Sequence, residues 1–424
     1  MWESFGFSRN LYDTHPVEGN DQGERLLVGR SNEVTRIKSR ISGFRTVLTL
    51  EGPNGVGKTS LVLVSGHQLQ KESEGRGKSS YLLLPEPVQF TQEDTAVDFK
   101  RKVYSKIASH FIANERDLRS RLDLQFSLGP LRAWLENPLN FEGSISIAGF
   151  GGGGGRTPNE STGFDVHGFF TLVDRLLQAS FTNDGGIICV LDNLEILNTS
   201  QLARQRLETL RDDLFAKHGL KWVVCGARGI VRSVASSPRL QGRLLEPIEV
   251  NPLDGHSIDQ LIASRVAEFR TRPDSIPPVG ADSFKYVFKI LNNNLRDSLK
   301  YSGDFAAWLD ENQRYNETAS SLDDLFQVWL ADQSERYFTT INVPPRAWQL
   351  FDDICEKGGS ISPSDYEDFG FNSPQHMRGQ VAKLEQADLV VSELDDTDHR
   401  RKTISVQAKG WLLRHHRTGY RPPD

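Results

Sequence analysis

The feature that most constrains this chain is a short apolar segment that leads directly into a glycine-rich loop. Residues 46–52 (TVLTLEG) are typical of a buried strand that ends in a tight turn. Residues 52–59 (GPNGVGKT) then satisfy the pattern GxxxxGK[ST] at every required position. In such a loop the glycines let backbone N–H groups converge on phosphate oxygens, and the helix that follows directs its positive end towards them. The segment therefore predicts a phosphate-binding loop between a strand and a helix.

The side chains of this loop divide the contacts with a nucleoside triphosphate and its metal ion. Lys58 is expected to reach the β- and γ-phosphates, and the Thr59 hydroxyl is expected to bind Mg²⁺. A glycine-rich turn without a ligand is the alternative, but the strand before the loop and the helix-compatible segment 60–70 after it favour ATP binding. We predict that the nucleotide contacts Gly52, Pro53, Asn54, Gly55, Val56, Gly57, Lys58, Thr59 and Ser60.

A second motif, residues 187–192 (IICVLD), supplies an acid at the end of a continuous apolar run. Such a run is typical of a parallel strand that is buried on both faces, and Asp192 at its end is expected to hold the metal ion and its water shell. Related ATPases often carry a glutamate next, whereas this chain has Asn193, and an amide is a poor general base. Two interpretations stay open: hydrolysis is slow, or Glu195 is the base. No NKxD-like segment is present, which favours adenine over guanine.

Apolar runs and helical patterns alternate through the first 250 residues. Further strands are predicted at 81–84, 221–227 and 248–250, and helices at 32–41 and 166–177. Alternation of this kind indicates an α/β fold with a parallel sheet and right-handed crossovers. The predicted fold class is therefore α/β, with a P-loop NTPase sheet.

The rest of the chain predicts further structural units. Helical patterns at 257–269, 282–292, 295–310 and 322–338 indicate an all-α region, and Pro344-Pro345 marks its end. Beyond it, three helices and two strands follow in the order of a winged helix. The predicted organisation is an irregular, aromatic N-terminal arm at 1–25, an ATPase core at 26–250 with a glycine-rich insertion at 120–165, a helical lid at 251–340 and a winged helix at 341–424. Within the insertion, the glycine run at 149–156 is expected to be a flexible loop.

Charge is concentrated at the end of the predicted winged helix. Residues 400–424 hold seven basic residues and one acid, whereas residues 341–399 hold four basic and twelve acidic residues. A wing contacts the minor groove or phosphates while the helix at 374–387 faces the major groove. We expect weak, phosphate-driven contact with double-stranded DNA, supported by Lys409, Arg414 and Arg417 on the last helix. The candidate DNA-binding residues are Arg378, Lys383, Arg400, Arg401 and Lys402.

Together, the motifs resemble AAA+ ATPases of the Orc/Cdc6-like branch, which is related to the STAND nucleotide switches. Residues 27–33 resemble the family's hhGRxxE box, residues 222–228 the sensor-1 strand, and residues 237–243 the segment with the arginine finger. Residues 250–253 match the apolar-x-Pro-Leu that opens the lid, and residues 292–299 resemble the start of the sensor-2 helix. The departures from the family pattern are Asn193 and the insertion at 120–165.

The resemblance implies roles for several residues outside the phosphate-binding loop. It places Val28, Gly29 and Arg30 beside the adenine, Arg228 at the polar end of the sensor-1 strand, Arg239 or Arg243 at the γ-phosphate of a neighbouring subunit, and Arg296 at the γ-phosphate of its own chain. An ordinary surface or ion-paired role is the alternative for each of these arginines.

Composition excludes several classes of protein. With 37% hydrophobic and 25% charged residues, the chain is neither disordered nor embedded in a membrane. Its three cysteines are far apart, which excludes a disulfide framework and a cysteine zinc site. The start of the sequence lacks the features of a secretory signal, so we expect a cytoplasmic protein. The net charge of −6 excludes a general polyanion binder, so any DNA contact must be local.

We therefore expect an ATP-dependent switch, of the kind used in replication, transposition or anti-phage defence. It would hydrolyse ATP slowly to ADP and phosphate, and bind a second copy of the chain, another protein or DNA. An adaptor with a structural nucleotide and a protein-binding winged helix is the alternative from a different class. A small-molecule kinase is disfavoured because no acceptor-site constellation is visible.

Overall fold

The computed structural model describes residues 1–43, 47–91, 93–136, 139–142, 155–158, 163–194, 200–227, 231–232, 237–240, 242–394 and 402–419. The strands of its first 250 residues are β1 (Leu48–Glu51), β2 (Tyr81–Leu83), β3 (Val88–Gln89), β4 (Leu139–Glu142), β5 (Gly155–Pro158), β6 (Gly186–Asp192), β7 (Leu220–Gly226) and β8 (Ile248–Glu249). Six of these form one parallel sheet in the order β2-β6-β7-β1-β8, and β3 also pairs with β6. The predicted α/β class and parallel sheet are confirmed.

Helices cover both faces of this sheet. They are α1 (Asp21–Leu26), α2 (Ser31–Gly43), α3 (Lys58–Glu72), α4 (Ala96–Ala113), α5 (Glu115–Leu122), α6 (Gly129–Glu136), α7 (Gly163–Ser180) and α8 (Ser200–Leu210). Residues of α2 and α3, such as Ile37 and Leu61, form a core with one face. Residues of α4 and α7, such as Ile107 and Val173, pack against the other face. Because β6 is buried on both sides, its apolar run carries no alternation.

Parts of the predicted insertion at 120–165 form regular structure that the sequence pattern did not indicate. Helix α6 lies inside it, with Leu131 fully buried and the Trp134 ring stacked on Phe169 of α7 at 3.8 Å between ring centroids. Strands β4 and β5 form an antiparallel hairpin. The burial of α6 depends on α4 and α7, which are distant in sequence, so its eight residues gave no clear periodic signal. Residues 149–154 of the glycine run lie outside the described residues.

The second half of the chain follows the predicted order. Its elements are α9 (Gly255–Phe269), α10 (Ala281–Ile290), α11 (Leu295–Glu311), α12 (Ala319–Thr340), α13 (Pro345–Glu356), β9 (Ser360–Ile361), a 3₁₀ helix (Pro363–Phe369), α14 (Pro374–Gln386), β10 (Val390–Leu394), β11 (Lys402–Val406) and α15 (Ala408–Thr418). Strands β10, β11 and β9 form an antiparallel sheet. Helices α13 and α14 with this sheet follow the element order of a winged helix, to which α15 is added. The N-cap of α14 is Ser373, whose hydroxyl accepts from the His376 N–H, and Pro374 is the first helical residue.

The N-terminal arm packs on the lid. It is not helical up to Asn20, as predicted, but α1 begins at Asp21, within the predicted range of the arm. Phe7 and Tyr12 are buried in a hydrophobic core that continues through the lid helices into α13 and α15. The arm, the lid and the C-terminal region therefore share one core. Among the described residues, no helix has the length and apolar character that crossing a bilayer requires.

Candidate nucleotide-binding site

The glycine-rich loop lies at the carboxyl edge of the sheet, between β1 and α3. The carboxyl ends of parallel strands meet at this edge, where ligands of α/β folds bind. Gly55 and Gly57 have φ angles of 79° and 96°, in the left-handed region that favours glycine. Gly57 is the N-cap of α3, so the first turn of that helix directs its N–H groups into the loop. This is the geometry that the pattern GxxxxGK[ST] predicts.

Lys58 is folded over the inside of the loop. Its Nζ donates to the carbonyl oxygen of Gly52 at 2.9 Å and to that of Pro53 at 3.1 Å. The side chain is buried, so the ammonium group is held within the curve of the loop. An anion that enters this curve meets both the ammonium group and the N-terminus of α3.

The two predicted metal ligands are in direct contact. The Thr59 Oγ1 donates to Asp192 Oδ2 at 2.6 Å, which joins the start of α3 to the end of β6. A hydroxyl and a carboxylate are hard oxygen ligands of the kind that Mg²⁺ prefers, so the donor set fits this ion. Asn193 follows with a φ of 57° and lines the same cavity. Glu195, the other candidate for the general base, lies outside the described residues.

Arg30 connects the predicted adenine box to the phosphate-binding loop. Its Nη2 donates to the carbonyl oxygen of Val56 at 3.3 Å, and its Nη1 to Glu33 Oε1 at 3.1 Å. Val28 lines the cavity beside it. Gly29 has a φ of 67° and lies so close to the lid that a Cβ atom there would be 2.2 Å from the hydroxyl oxygen of Ser257. Residues 28–30 thus contact the loop on one side and the lid on the other.

Arg296 reaches the site from the lid. It is the second residue of α11, whose N-cap Asn294 accepts from the Asp297 N–H at 3.1 Å. The start of this helix lies against the loop, because a Cβ atom at Gly55 would be 2.8 Å from the Cβ of Arg296. Arg296 lines the cavity, as the resemblance to a sensor-2 arginine predicts. Its contact with a γ-phosphate stays a prediction.

These residues line one cavity of about 290 Å³ between the core, the lid and the arm. Its phosphate end is formed by the glycine-rich loop, Asp192 and Arg296. Its other end is mostly apolar and is lined by Leu26, Leu27, Val28, Leu253, Leu261, Leu295 and Leu299. The arm contributes Thr14, His15, Pro16 and Val17, and helix α9 contributes Arg265. We did not predict the arm residues or Arg265, because no local motif marks them.

The arm reaches this cavity because it is attached at both ends. On the lid side, the Tyr12 hydroxyl donates to the carbonyl oxygen of Val279 at 2.7 Å. On the core side, the Val17 N–H donates to Ser60 Oγ at 2.9 Å, on the first turn of α3. Residues 13–16 therefore cross the junction between lid and core. Any change in the angle between the two must bend or pull this segment.

The arginine-finger candidates are not part of the cavity of their own chain. The Arg239 side chain is 76% exposed and lies 3.5 Å from Glu208. Arg243 lines a separate cavity with Lys217 and Lys221, next to the amino-terminal ends of β6 and β7. Neither arginine lines the cavity beside the glycine-rich loop, so either would act only on another chain. Arg228 lies outside the described residues.

A buried acid precedes the loop, and we did not predict it. Glu51 is the last residue of β1, and its side chain is fully buried. Arg232, which follows β7, has its Nε 2.6 Å from Glu51 Oε1. The pair links the end of the central strand to the segment after the predicted sensor-1 strand. We interpreted residues 46–52 as a buried strand and assigned no role to the acid within it.

The predicted DNA-binding residues are only partly described. Arg378 is exposed on α14, whereas Lys383 is half-buried. The two are five residues apart, which places them roughly 140° apart around the helix axis, so they do not form one basic face. Lys402 is the first residue of β11. Arg400 and Arg401 lie outside the described residues.

The last helix does not have the free cations that we expected. Arg414 is buried, and its Nη1 donates to the carbonyl oxygen of Asp352 at 3.0 Å. Arg417 donates to both carboxylate oxygens of Asp352, at 3.0 and 3.2 Å, and its guanidinium lies 4.0 Å from the centre of the Trp348 ring. Lys409 is 3.6 Å from the carboxylate of Asp388. Asp352 of α13 thus neutralises Arg414 and Arg417 within the fold, which disfavours these two arginines as the phosphate contacts that we expected of α15.

Comparisons with known proteins return solved structures only. No family model matches the sequence, and no curated protein matches it. The Orc1 protein of Aeropyrum pernix in complex with DNA is 15% identical, with 97% of this chain and 96% of that chain covered and a TM-score of 0.46. The Orc2 protein of the same organism, in ADPNP and ADP complexes, is 10% identical, with 96% of each chain covered and a TM-score of 0.49. A Walker-type ATPase of Pyrococcus abyssi is 15% identical, with 95% of this chain and 99% of that chain covered and a TM-score of 0.47.

These neighbours agree with the resemblance to Orc/Cdc6-like AAA+ ATPases that the motifs indicate. Because every TM-score is below 0.5, no conclusion about the function of this chain rests on them.

Proposed function

We propose that this chain binds ATP and Mg²⁺ in the cavity between core and lid, and acts as a slowly hydrolysing nucleotide switch. The observation that carries the proposal is the contact between Thr59 and Asp192 beside the ammonium group of Lys58. A cation, a hydroxyl, a carboxylate and a helix N-terminus converge there at one end of a cavity of about 290 Å³. The other end is apolar, as a nucleoside requires.

Each residue has a defined task in this proposal. Lys58 and the N–H groups at the start of α3 bind the phosphates, and Thr59 and Asp192 hold Mg²⁺. The metal ion neutralises charge that develops on the phosphoryl oxygens. Arg30 keeps the carbonyl group of Val56 turned away from the phosphates, because its guanidinium holds that oxygen. Arg296 brings a second cation from the lid.

Slow turnover follows from Asn193. It occupies the position where a carboxylate would accept the proton of the attacking water, and its amide has no comparable basicity. The residue lines the cavity, so it is near enough to orient a water molecule. We infer that ATP stays bound for a long time before it is hydrolysed. Such behaviour suits a nucleotide switch better than a motor protein.

The lid is the element that would respond to the nucleotide. Helix α11 lies against Gly55, and Ser257 of α9 lies against Gly29, so the lid contacts the site at two places. The lid also holds the C-terminal region. The Tyr286 hydroxyl lies 2.8 Å from His415 Nε2, and His416 Nε2 lies 3.0 Å from Glu335 Oε2. A change in the angle between lid and core would therefore move α15 and the elements packed on it.

Two partners fit the C-terminal region, and different residues favour each of them. The pairing of Arg414 and Arg417 with Asp352 removes cations from a DNA-binding surface and favours a protein partner, as in the adaptor alternative. The remaining basic residues of the wing, among them Lys402, favour phosphate contacts. A second copy of the chain is a further partner, because Arg239 and Arg243 lie away from their own cavity.

The first test of the proposal is equilibrium binding of ATP with Mg²⁺ to the native protein and to Lys58→Ala. Charge-assisted contacts of this kind contribute roughly 1.5–3 kcal/mol, so we expect affinity to fall by about tenfold or more. Lys71→Ala is the matched control, because Lys71 is on the same helix and pairs with Asp21 at the surface. Equal ATP affinity of folded Lys58→Ala and the native protein would refute nucleotide binding at this loop. A single-turnover hydrolysis assay with and without duplex DNA then separates the switch from the adaptor.

A further inference from the structure

The nucleoside end of the cavity contains a buried arginine in addition to Arg30. Arg265 lies on the third turn of α9, and only 6% of its surface is exposed. Unlike Arg30, which pairs with Glu33, Arg265 has no hydrogen bond to a carboxylate among the described residues. Among the described residues that line the cavity, the one carboxylate is Asp192, at the phosphate end. The acid whose charge raises the pKa of Arg265 against the effect of burial is Asp13 of the arm, which does not line the cavity.

The hydrogen bonds of Arg265 are incomplete. Its Nη1 donates to the carbonyl oxygens of Leu11 at 2.7 Å and Asp13 at 3.3 Å, both in the arm. Its Nε has no hydrogen-bond partner among the described residues, and none is found there for Nη2. A guanidinium has five N–H groups in a fixed fork, and leaving such donors unmade inside a protein is costly. An acceptor that enters the cavity beside Arg265 would remove this cost.

Burial lowers the pKa of Arg265 to about 10, but the side chain stays charged near neutral pH. The bases of nucleotides offer what this cation lacks, since their ring nitrogens and carbonyl oxygens are acceptors. When the phosphates of a nucleotide lie on the glycine-rich loop and its base packs on the apolar residues at this end, the base lies beside the guanidinium group of Arg265. We propose that Arg265 positions the nucleoside by donating to acceptors of the base.

The same guanidinium connects the base to the arm. Because Nη1 already holds the carbonyl groups of Leu11 and Asp13, a base that fixes Arg265 also fixes the segment that crosses from lid to core. That segment ends at Val17, which donates to Ser60 next to the phosphate site. Binding of the base would therefore hold the arm against both lid and core, in addition to any effect of the phosphates.

This inference rests on the proposed nucleotide binding, and the experiment separates the two. Affinities of ATP and of inorganic tripolyphosphate are measured for the native protein, Arg265→Met and Arg265→Lys. Tripolyphosphate carries the phosphates without a nucleoside. We expect Arg265→Met to weaken ATP binding about tenfold and to leave tripolyphosphate binding within twofold of native. Arg265→Lys keeps a cation but loses the planar guanidinium group, so its ATP affinity should lie between those of the native protein and Arg265→Met.

A matched control removes another arginine contact of the same helix. Arg25 pairs with Glu268 on α9 at 2.7 Å, bridging core and lid outside the cavity. Arg25→Gln should bind both ligands as the native protein does. Equal weakening of ATP and tripolyphosphate in Arg265→Met would overturn the inference, because it would show a general structural role. Unchanged ATP affinity in that variant would overturn it as well. Failure of the native protein to bind ATP would instead refute the proposed function.

A measurement on the native protein covers the case in which Arg265→Met does not fold. Hydrogen exchange of the arm amides at 11–17 is compared without ligand, with ATP and with tripolyphosphate. We expect ATP to slow exchange at these amides by about tenfold relative to tripolyphosphate at equal saturation. Equal protection by the two ligands would contradict a role for the base.

Discussion

The Thr59 hydroxyl donates to the Asp192 carboxylate at 2.6 Å, although the two residues are 133 positions apart in the chain. The contact joins the first turn of α3 to the end of β6, and it depends on the parallel pairing of β6, β7 and β1. It places two hard oxygen ligands side by side at the phosphate end of the cavity, where they would hold a magnesium ion.

Replacing Thr59 with valine should weaken the response of ATP binding to magnesium. Valine has nearly the same shape as threonine but no oxygen ligand. We therefore expect the factor by which Mg²⁺ strengthens ATP binding to be at least tenfold smaller in Thr59→Val than in the native protein. The measurement is ATP affinity with Mg²⁺ and with EDTA. Thr35→Val is the matched control, because Thr35 is exposed on α2 and its hydroxyl donates to the carbonyl oxygen of Ser31 on the same helix. A native magnesium response in Thr59→Val would remove Thr59 from the metal site.

Asn193→Glu should raise the rate of hydrolysis and leave ATP affinity nearly unchanged. The φ of 57° suits asparagine, so a longer side chain there should also cost about 1 kcal/mol of folding free energy. Asn193→Gln has the same strain without a carboxylate, and it separates the two effects. Single-turnover assays and thermal melts of both variants provide the comparison. If Asn193→Glu is inert while Glu195→Gln abolishes hydrolysis, Glu195 is the base and the slow-switch interpretation is wrong.

Arg239 or Arg243 should act on a neighbouring chain. Arg243 lines a cavity on the amino-terminal side of the sheet, so it cannot reach the phosphates of its own chain without a large rearrangement. A mixture of Arg243→Ala and Lys58→Ala proteins should recover part of the ATPase activity, since one type of interface combines an intact loop with an intact arginine. Arginine fingers contribute about 10³–10⁵ in rate in other phosphoryl-transfer proteins.

The control for this mixture is Arg336→Ala combined with Lys58→Ala, because Arg336 is an exposed arginine that pairs with Asp332. The same mixing with Arg239→Ala identifies which candidate acts. If neither mixture regains activity while both proteins still assemble, the site is complete within one chain.

The wing should supply most of the DNA affinity that the protein has. Removing three phosphate contacts with Arg400/Arg401/Lys402→Ala should reduce the log–log salt slope of DNA binding by about 2.7, at roughly 0.9 per contact. The measurement is a titration of duplex DNA at several salt concentrations. Arg417→Ala is the control: it should lower stability, because Arg417 pairs with Asp352 and stacks on Trp348, but leave the slope unchanged. Equal slopes for the native protein and the triple variant would favour the adaptor function.

Local patterns were sufficient for much of the fold. The strand, the loop and α3 follow from residues that are neighbours in sequence, because loop geometry needs glycine and buried parallel strands need continuous apolar runs. The same holds for α14, because the N-cap Ser373 and the following Pro374 determine where this helix begins. Helix α6 shows the limit, since its burial depends on Trp134 stacking on a distant Phe169.

The site itself depends on tertiary structure. The sequence determined by itself which residues could bind phosphate and metal, namely Lys58, Thr59 and Asp192, because each belongs to a motif whose chemistry is local. Only the tertiary structure decided that the arm lines the cavity, that Arg265 lies at its nucleoside end, and that Asp352 neutralises Arg417. These contacts join residues far apart in the chain, and no short pattern encodes them. They form because the packing of apolar side chains between helices and sheet brings distant segments together. The polar groups of these segments then form hydrogen bonds and ion pairs with the polar groups that packing places next to them.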